Sequence, residues 1–282
     1  MIQHWLQYCD ECHTTCFEGL SQPEIDATPV LPTRVIAVPA GESPRLVITN
    51  GLRGRYAALS HCWGGHSHIM CTKDTVGQFQ GGIPLNELSK TVRDAIYLAQ
   101  KLGIPYLWVD SLCIVQDDKQ DWLEEAPRMG SVYEHAYLTF AATAAVNGDV
   151  GLFAPLQSED IVRVPCDPER PLLGSMYLAP STITFEEVNT SPLSRRGWVL
   201  QERLLSRRTL HFAATQVYWE CQETGTNRSY GRDYNLQETW RAIVTFYSTC
   251  SLTYLSDKLP ALEGVVTKLK ARTSLEYHLG HW

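Results

Sequence analysis

Carboxylates and arginines are concentrated in two separate segments of this chain. Residues 110–125 carry six carboxylates and one lysine, and residues 195–208 carry five arginines and one glutamate, Glu202. Because each segment alone would repel itself, we expect the two segments to pair. The pairing would form either an ion-pair network that joins two parts of the fold or a polar cleft. In a cleft, the arginines would bind phosphate or carboxylate and the carboxylates would perform acid–base chemistry.

A second group of candidate residues follows the apolar segment that begins at Tyr56. Ser60, His61, Trp63 and Gly64 come at its end. His61 is a candidate acid, base or hydrogen-bond donor, because an imidazole changes charge near neutral pH. A lone histidine is also commonly a structural group that hydrogen-bonds inside the fold. A glycine directly after a strand permits a sharp turn or a close approach of the backbone to a ligand.

The nine cysteines suggest a third kind of chemistry. Cys9, His13 and Cys16 are spaced i, i+4 and i+7, so one face of a helix would carry all three. That face would either offer three ligands to zinc, with the fourth from elsewhere, or pack as small buried side chains against the domain. Cys113 is a candidate nucleophile, but its neighbours on both sides are apolar, and burial makes a thiol inert.

The elements that position these groups follow from the hydrophobic pattern between residues 56 and 142. The pattern predicts strands over 56–62, 106–114 and 137–142, a helix over 88–102, and a helical region interrupted by Pro127. Near-continuous apolar strands alternating with helices indicate a parallel sheet. In such sheets, functional groups gather beyond the carboxyl ends of the strands. Asp110, Gln116 and Asp117 are expected near that edge.

The remaining segments are predicted to surround this unit. Hairpins are predicted over 34–49 and 209–221, a helix from Trp198, a long loop over 66–82, and two closing helices over 236–249 and 260–271. We divide the chain into an N-terminal helical lead-in (1–33), an α/β core (34–145), a lobe formed by an insertion and a β-hairpin (146–235), and C-terminal helices (236–282).

Composition argues against several functional classes. With 282 residues, 44% of them hydrophobic, the chain is long enough for a sizeable core. A net charge of −7 without a lysine or arginine block argues against nucleic-acid binding. No apolar run reaches the roughly 18 residues of a membrane span, and Met1–Asp10 lacks the pattern of a signal peptide. The odd number of cysteines favours reduced thiols, so we expect a cytoplasmic protein.

Three motifs carry a resemblance to a known family. They are Tyr56-Ala-Ala-Leu-Ser-His-Cys-Trp-Gly64, the segment Tyr106–Asp118, and Arg196-Gly-Trp-Val-Leu-Gln-Glu-Arg203. In this order they resemble the motifs of the fungal heterokaryon incompatibility (HET) family, and flanking residues such as Trp5 and Trp240 agree with it. The resemblance implies a function in allorecognition and in the cell death that follows fusion of unlike hyphae. It also implies action by self-association or by binding another signalling protein.

HET domains are thought to be remotely similar to TIR domains, which are flavodoxin-like parallel α/β modules. The resemblance therefore implies an α/β fold with a TIR/flavodoxin-like core of parallel strands and flanking helices, an additional β-containing lobe and C-terminal helices. Some TIR domains use a glutamate to cleave NAD at the nicotinamide glycosidic bond. The alternative functions are thus an NAD glycohydrolase, or a HET-like fold recruited as a small-molecule enzyme of secondary metabolism. No G-x-G-x-x-G stretch supports tight dinucleotide binding.

The candidate site residues fall into three groups: catalytic, ligand-binding and metal-binding. The catalytic candidates are His61, Asp110 and Glu202, and also Glu124 and Glu125, because Trp122-Leu-Glu-Glu125 is loosely similar to the tryptophan–glutamate helix of TIR domains. The candidates for binding a cofactor or a substrate such as NAD are Ser60, Trp63, Gly64, Gln116, Asp117, Arg196, Trp198 and Gln201. The candidate zinc ligands are Cys9, His13 and Cys16.

The third motif is expected to pack against the carboxyl end of the central strand, near Asp110 to Asp118. Arg196 would bridge buried carboxylates there, with Trp198 as an aromatic anchor. Removing such an arginine would strand a buried charge and cost about 3–5 kcal/mol. Arg207 and Arg208 are expected to be exposed, where a pair contributes less than about 1 kcal/mol.

Overall fold

The computed structural model describes residues 1–17, 28–64, 69–153, 162–165, 175–178, 185–223, 236–273 and 276–278. Residues 224–235 of the predicted lobe and the last four residues lie outside these ranges. The strands are β1 (Arg34–Ala37), β2 (Arg45–Ile48), β3 (Tyr56–Ser60), β4 (Tyr106–Trp108), β5 (Leu138–Ala141), β6 (Val162–Pro165), β7 (Ser175–Leu178), β8 (Arg208–Phe212) and β9 (Val217–Cys221).

The α-helices of the described residues cover the faces and the C-terminal part of the fold. They are α1 (Ile2–Cys12), α2 (Val76–Gly81), α3 (Lys90–Lys101), α4 (Asp110–Cys113), α5 (Lys119–Glu125), α6 (Met129–His135), α7 (Glu186–Asn189), α8 (Gly197–Leu205), α9 (Leu236–Tyr247) and α10 (Pro260–Arg272). Among the described residues, no helix is both long and apolar enough to cross a membrane.

Seven strands form one mixed sheet in the order β2-β1-β4-β3-β5-β8-β9, and β6 and β7 form a second, two-stranded sheet. The central strands β4, β3, β5 and β8 run parallel, whereas β2, β1 and β9 continue the sheet with antiparallel pairs. Every residue of β3, β5 and β8 is buried, as expected for strands covered on both faces. The predicted α/β class and the parallel unit over residues 56–142 are confirmed.

The helix that crosses between the first two parallel strands forms as its sequence predicts. The Ser89 hydroxyl caps α3 by accepting a hydrogen bond from the Val92 amide at 3.3 Å. Ala95 and Ala99 lie on the buried face of the helix. Gly103 follows the helix with φ of 67°, a left-handed conformation that glycine adopts without strain. The helix therefore returns the chain to the edge of β3 at a fixed angle.

The structure corrects two expectations about local structure. The central strand ends at Trp108 rather than continuing to Ile114, because residues from Asp110 form one helical turn in which the Cys113 amide bonds the Val109 carbonyl at 2.8 Å. The long loop expected over 66–82 contains α2, whose Phe79 is buried in the core. Both helices are too short for their apolar residues to show a helical repeat, so the sequence pattern does not indicate them.

The hairpin β8–β9, which the sequence assigned to a lobe, lies in the main sheet. Thr139, Phe140 and Ala141 of β5 pair in parallel with Thr209, Leu210 and His211 of β8. Helix α8 precedes β8 and covers this part of the sheet, with its Val199 packed against Ala141 of β5. Because β8 follows α8 closely in sequence and pairs with β5, the third motif, which lies mostly in α8, is next to the parallel core.

The C-terminal helices pack on the outer side of α8. Leu200 and Leu205 of α8 share an apolar cluster with Trp240, Ile243 and Val265. Gly264 permits the close approach, because a Cβ atom there would lie 2.8 Å from Leu205 Cδ1. As a consequence, α8 is packed on both sides, and its polar residues Gln201 and Glu202 are buried.

Candidate functional site

The first two motifs meet in a hydrogen-bonded contact at the carboxyl edge of β3 and β4. The Trp63 indole donates to both carboxylate oxygens of Asp110, at 3.0 and 2.9 Å. The Ser111 amide donates to the same carboxylate at 2.8 Å. Asp110 sits at the start of a helical turn, where a carboxylate is favoured by free amide groups. Its side chain is 16% exposed, so it borders solvent.

The third motif joins this contact through Arg196. The Arg196 guanidinium donates a hydrogen bond to the backbone carbonyl of His61. The His61 imidazole is buried, with Nδ1 4.0 Å from Asp110 Oδ1. All three sequence motifs therefore contribute side chains to one group of contacts, which we call the motif cluster: Ser60, His61, Trp63, Asp110, Tyr133, Arg196 and Glu202.

Glu202 is the buried acid of the motif cluster, with 4% of its surface exposed. Burial raises the pKa of its carboxyl group from 4.5 to about 7. The negative charge of Asp110 contributes to this rise in pKa, whereas the positive charge of Arg196 and the hydroxyl groups of Ser60 and Tyr133 oppose it. A carboxyl group with this pKa exchanges a proton near neutral pH, so it is suited to general acid–base chemistry.

Asp110 and Glu202 thus occupy different environments within one cluster. Asp110 borders solvent and accepts N–H hydrogen bonds, while Glu202 is enclosed and its pKa is raised. Pairs of carboxyl groups in unlike environments commonly divide acid and base roles. The arrangement can present a carboxylate to a ligand at Asp110 and hold an exchangeable proton on Glu202.

Gly64 shapes the backbone beside the cluster. It has φ of 75°, and a Cβ atom at this position would lie 2.4 Å from the Asn147 Cβ. The loop after β3 therefore packs tightly against the loop after β5, which a side chain would prevent. The structural reason for this glycine is the close approach of Asn147.

Two other candidates, Gln116 and Asp117, form hydrogen bonds next to the motif cluster. The Gln116 amide donates to the carbonyls of Asp110 and Ile114, each at 3.0 Å, and Asp117 accepts from the Lys73 amide at 2.9 Å. Both residues hold the segment that follows Asp110 in place. They support the cluster from outside it.

Two candidates from the third motif point toward the C-terminal helices. Gln201 accepts a hydrogen bond from the Gly264 amide at 2.7 Å, and the Trp198 indole donates to Asp257 at 3.1 Å. Trp198 therefore anchors the third motif to the C-terminal segment. Within the described contacts, both side chains fix α8 to the helices that cover it.

The expected pairing of the two charged segments is wrong. On the acidic side, Asp121 pairs with Arg34 at 2.5 Å, and Glu125 pairs with Arg128 at 2.9 Å. Glu124 is exposed. The helix that carries these carboxylates faces β1 and its own neighbours, so neither Glu124 nor Glu125 joins the motif cluster.

The arginines are also placed differently from the expectation. Arg196 is half-buried and bonds the His61 carbonyl in place of carboxylates from residues 110–125. Arg208 and Arg207 are both buried, and Arg208 pairs with Asp10 of the N-terminal helix. Arginines at the start of β8 are buried because that strand lies inside the main sheet.

Sequence reasoning missed a buried charge cluster between α8 and the second hairpin. Glu220 Oε2 lies 2.7 Å from Arg203 Nε and 2.9 Å from His211 Nε2. Burial alone would raise the pKa of Glu220, but the hydrogen bond from His211 and the charge of Arg203 lower it to about 2. The register of the predicted hairpin could have indicated this contact. His211 pairs with Tyr218, and Glu220 is the next residue of β9 on the same face of the sheet.

The N-terminal face that carries Cys9, His13 and Cys16 meets a fourth ligand from β9. With Cys221, the four potential ligand atoms all lie within 4.8 Å of one another. Cys113, by contrast, is buried, and burial raises the pKa of its thiol, in agreement with an inert side chain.

A cleft of about 500 Å³ lies apart from the motif cluster, between α7, α8 and α9. Its lining includes Asn189, Arg203, Leu204 and Phe246. None of the catalytic candidates lines it, so a ligand in this cleft would not contact Asp110 or Glu202.

Comparison with known proteins identifies one family. The family model described as "Heterokaryon incompatibility protein (HET)" matches residues 56–202, which is just over half of the chain. The matched range starts at the first residue of β3 and ends at the buried acid of the motif cluster. No curated protein and no solved structure matches the chain.

Proposed function

The chain belongs to the heterokaryon incompatibility (HET) family, and from that premise we propose that it is a cytoplasmic death effector in fungal allorecognition. The motif cluster is its functional centre in this proposal. The observation that carries the proposal is the convergence of three motifs, the first and third separated by 131 residues of sequence, on Trp63, Asp110, Arg196 and Glu202. None of these four side chains lines the cleft, which favours a centre that controls conformation or assembly.

We further propose that activity requires self-association or a signalling partner. A buried carboxyl group that gains or loses a proton near neutral pH is a suitable element for switching between two packings. In a self-associating effector, fusion to an inducible dimerisation module increases toxicity at constant expression. Equal toxicity with and without the inducer would contradict this activation mechanism, and the family function would be unaffected.

The test of the main proposal is expression in a filamentous fungal host. The wild-type chain is expected to reduce viability, and Asp110→Asn and Trp63→Phe to abolish the effect because each weakens the contact between the first two motifs. Glu124→Gln is the matched control, since Glu124 is exposed and outside the cluster. All three variants are checked for folding by circular dichroism. Harmless expression of the folded full chain would refute the proposal.

A second candidate function is NAD glycohydrolysis, and Glu202 is the specific observation that favours it. Its carboxyl group lies near the carboxyl ends of parallel strands and has a pKa of about 7. When nicotinamide leaves ribose, positive charge develops at the reacting carbon, and a nearby carboxylate stabilises that charge. The incoming water loses its proton to a base, a role suited to Asp110, which borders solvent.

Nicotinamide release from NAD distinguishes the two functions. The purified chain is incubated with NAD at several pH values, in dilute and in crowded samples, and the products are separated by chromatography. For an NAD glycohydrolase, Glu202→Gln stops release and Glu124→Gln does not. Absence of nicotinamide under all of these conditions would reject the enzyme and leave the effector proposal in place.

A further inference from the structure

We propose that Cys9, His13, Cys16 and Cys221 bind one zinc ion in a closed tetrahedral site. Three ligands come from the N-terminal segment, from α1 to the short turn at Thr15–Phe17, and the fourth is the last residue of β9. The site would tie the start of the chain to the antiparallel edge of the main sheet. It is independent of the motif cluster and of the proposed function.

The distances between the ligand atoms suit zinc. In a tetrahedral site with Zn–S bonds of about 2.3 Å, sulfur atoms are about 3.8 Å apart, and a sulfur and an imidazole nitrogen are about 3.6 Å apart. Here Cys9 Sγ and Cys16 Sγ are 3.5 Å apart, and Cys221 Sγ is 3.3 Å from His13 Nδ1. All four atoms lie within 4.8 Å of one another, so a central ion reaches each of them with small side-chain adjustments.

Neither apolar packing nor a disulfide explains why all four ligand atoms lie together. A disulfide requires two sulfurs at about 2.0 Å and would use only two of the three cysteines. The three cysteines are buried, and none of them forms a disulfide among the described residues. Apolar packing would explain buried thiols, but it gives no reason for an imidazole nitrogen to face the same point.

The surroundings fit the charge of the proposed site. Zinc with three thiolates and a neutral imidazole has a net charge of −1, which needs a nearby cation when it is buried. Arg208, which also pairs with Asp10, brings positive charge to the site, because its Nε donates to Cys9 Sγ at 3.2 Å and its side chain is fully buried. Phe17 and Trp219 pack against the three cysteines and exclude water. A buried arginine directed at a sulfur is the arrangement expected around a metal thiolate.

A site with four protein ligands has no open coordination position, so its function is structural. Cys221 lies more than 200 residues after Cys16 in the sequence. The ion would thus close a long loop and hold α1 against the sheet. Loss of zinc is expected to release α1 and to lower the thermal midpoint of unfolding.

Metal content of the purified full-length chain tests the site. Inductively coupled plasma mass spectrometry is expected to find one zinc per chain. Cys221→Ser is expected to lose the zinc, and Cys12→Ser to keep it, because Cys12 is exposed on the same helix and outside the cluster. His13→Cys is expected to keep the zinc as a four-cysteine site, whereas His13→Ala weakens it. Equal zinc content in wild type and Cys221→Ser would overturn the proposal.

Cobalt reconstitution tests the site without depending on a variant that folds poorly. The wild-type chain is stripped with a chelator and titrated with Co²⁺. Intense visible bands of tetrahedral cobalt thiolate, displaced by one equivalent of Zn²⁺, are the expected result. A chain that contains no zinc as purified and shows no such bands would refute the site. A Cys9–Cys16 disulfide found by mass spectrometry in the chain as isolated would also refute it.

Discussion

Replacing Glu202 by glutamine should change how the stability of the protein depends on pH. The Glu202 side chain is 4% exposed, and burial raises its pKa from 4.5 to about 7. Because the folded state then binds the proton more tightly than the unfolded chain, this group stabilises the fold fully below its unfolded pKa. The stabilisation is lost as the pH rises through the folded pKa of about 7.

The magnitude follows from the size of the pKa shift. One pKa unit corresponds to about 1.4 kcal/mol of free energy, so a rise from 4.5 to about 7 corresponds to about 3 kcal/mol. Between about pH 5 and 8, the wild-type chain should lose about 2–3 kcal/mol of unfolding free energy relative to Glu202→Gln. Glutamine has nearly the same shape but does not titrate, so other titrating groups cancel in this comparison.

Urea unfolding followed by tryptophan fluorescence measures this difference. Midpoints and slopes are recorded for wild type, Glu202→Gln and the control Glu124→Gln at half-unit steps of pH. Glu124→Gln should track wild type, because that glutamate is exposed. The stability of Glu202→Gln should instead rise relative to wild type as the pH increases. Parallel profiles for wild type and Glu202→Gln would show that this carboxyl group is solvated in the folded protein, and the reasoning would fail.

Two further predictions concern packing and buried charge. Gly64→Ala should lower the free energy of unfolding by about 1–3 kcal/mol more than the control Gly41→Ala. Both glycines have positive φ, but only at Gly64 would a Cβ meet another side chain. Equal urea midpoints for the two variants would contradict this contact. Arg203→Met should cost about 3–5 kcal/mol by removing the arginine partner of the buried Glu220 carboxylate, whereas Arg195→Met, at an exposed position, should cost less than about 1 kcal/mol. A small effect of Arg203→Met would show that His211 alone is an adequate partner for Glu220.

The sequence by itself determined the parallel core and the identity of the motifs. The apolar repeat over residues 88–102 specifies α3, and the apolar strands on either side of it specify the parallel unit. The hairpin over 209–221 was equally visible, although its place in the main sheet was not. These features are local, because a repeat of apolar side chains sets which face of one element is buried.

Only the tertiary structure decided which charged groups are partners and which candidate metal ligands lie together. Asp121 meets Arg34, and Cys221 meets Cys9, because β-sheet order brings together segments that are far apart in sequence. Composition indicates that buried charges need partners, but it does not specify which residues those partners are. The pKa of Glu202 is likewise a property of the assembled fold, since it depends on how completely α8 and its neighbours exclude water from that carboxyl group.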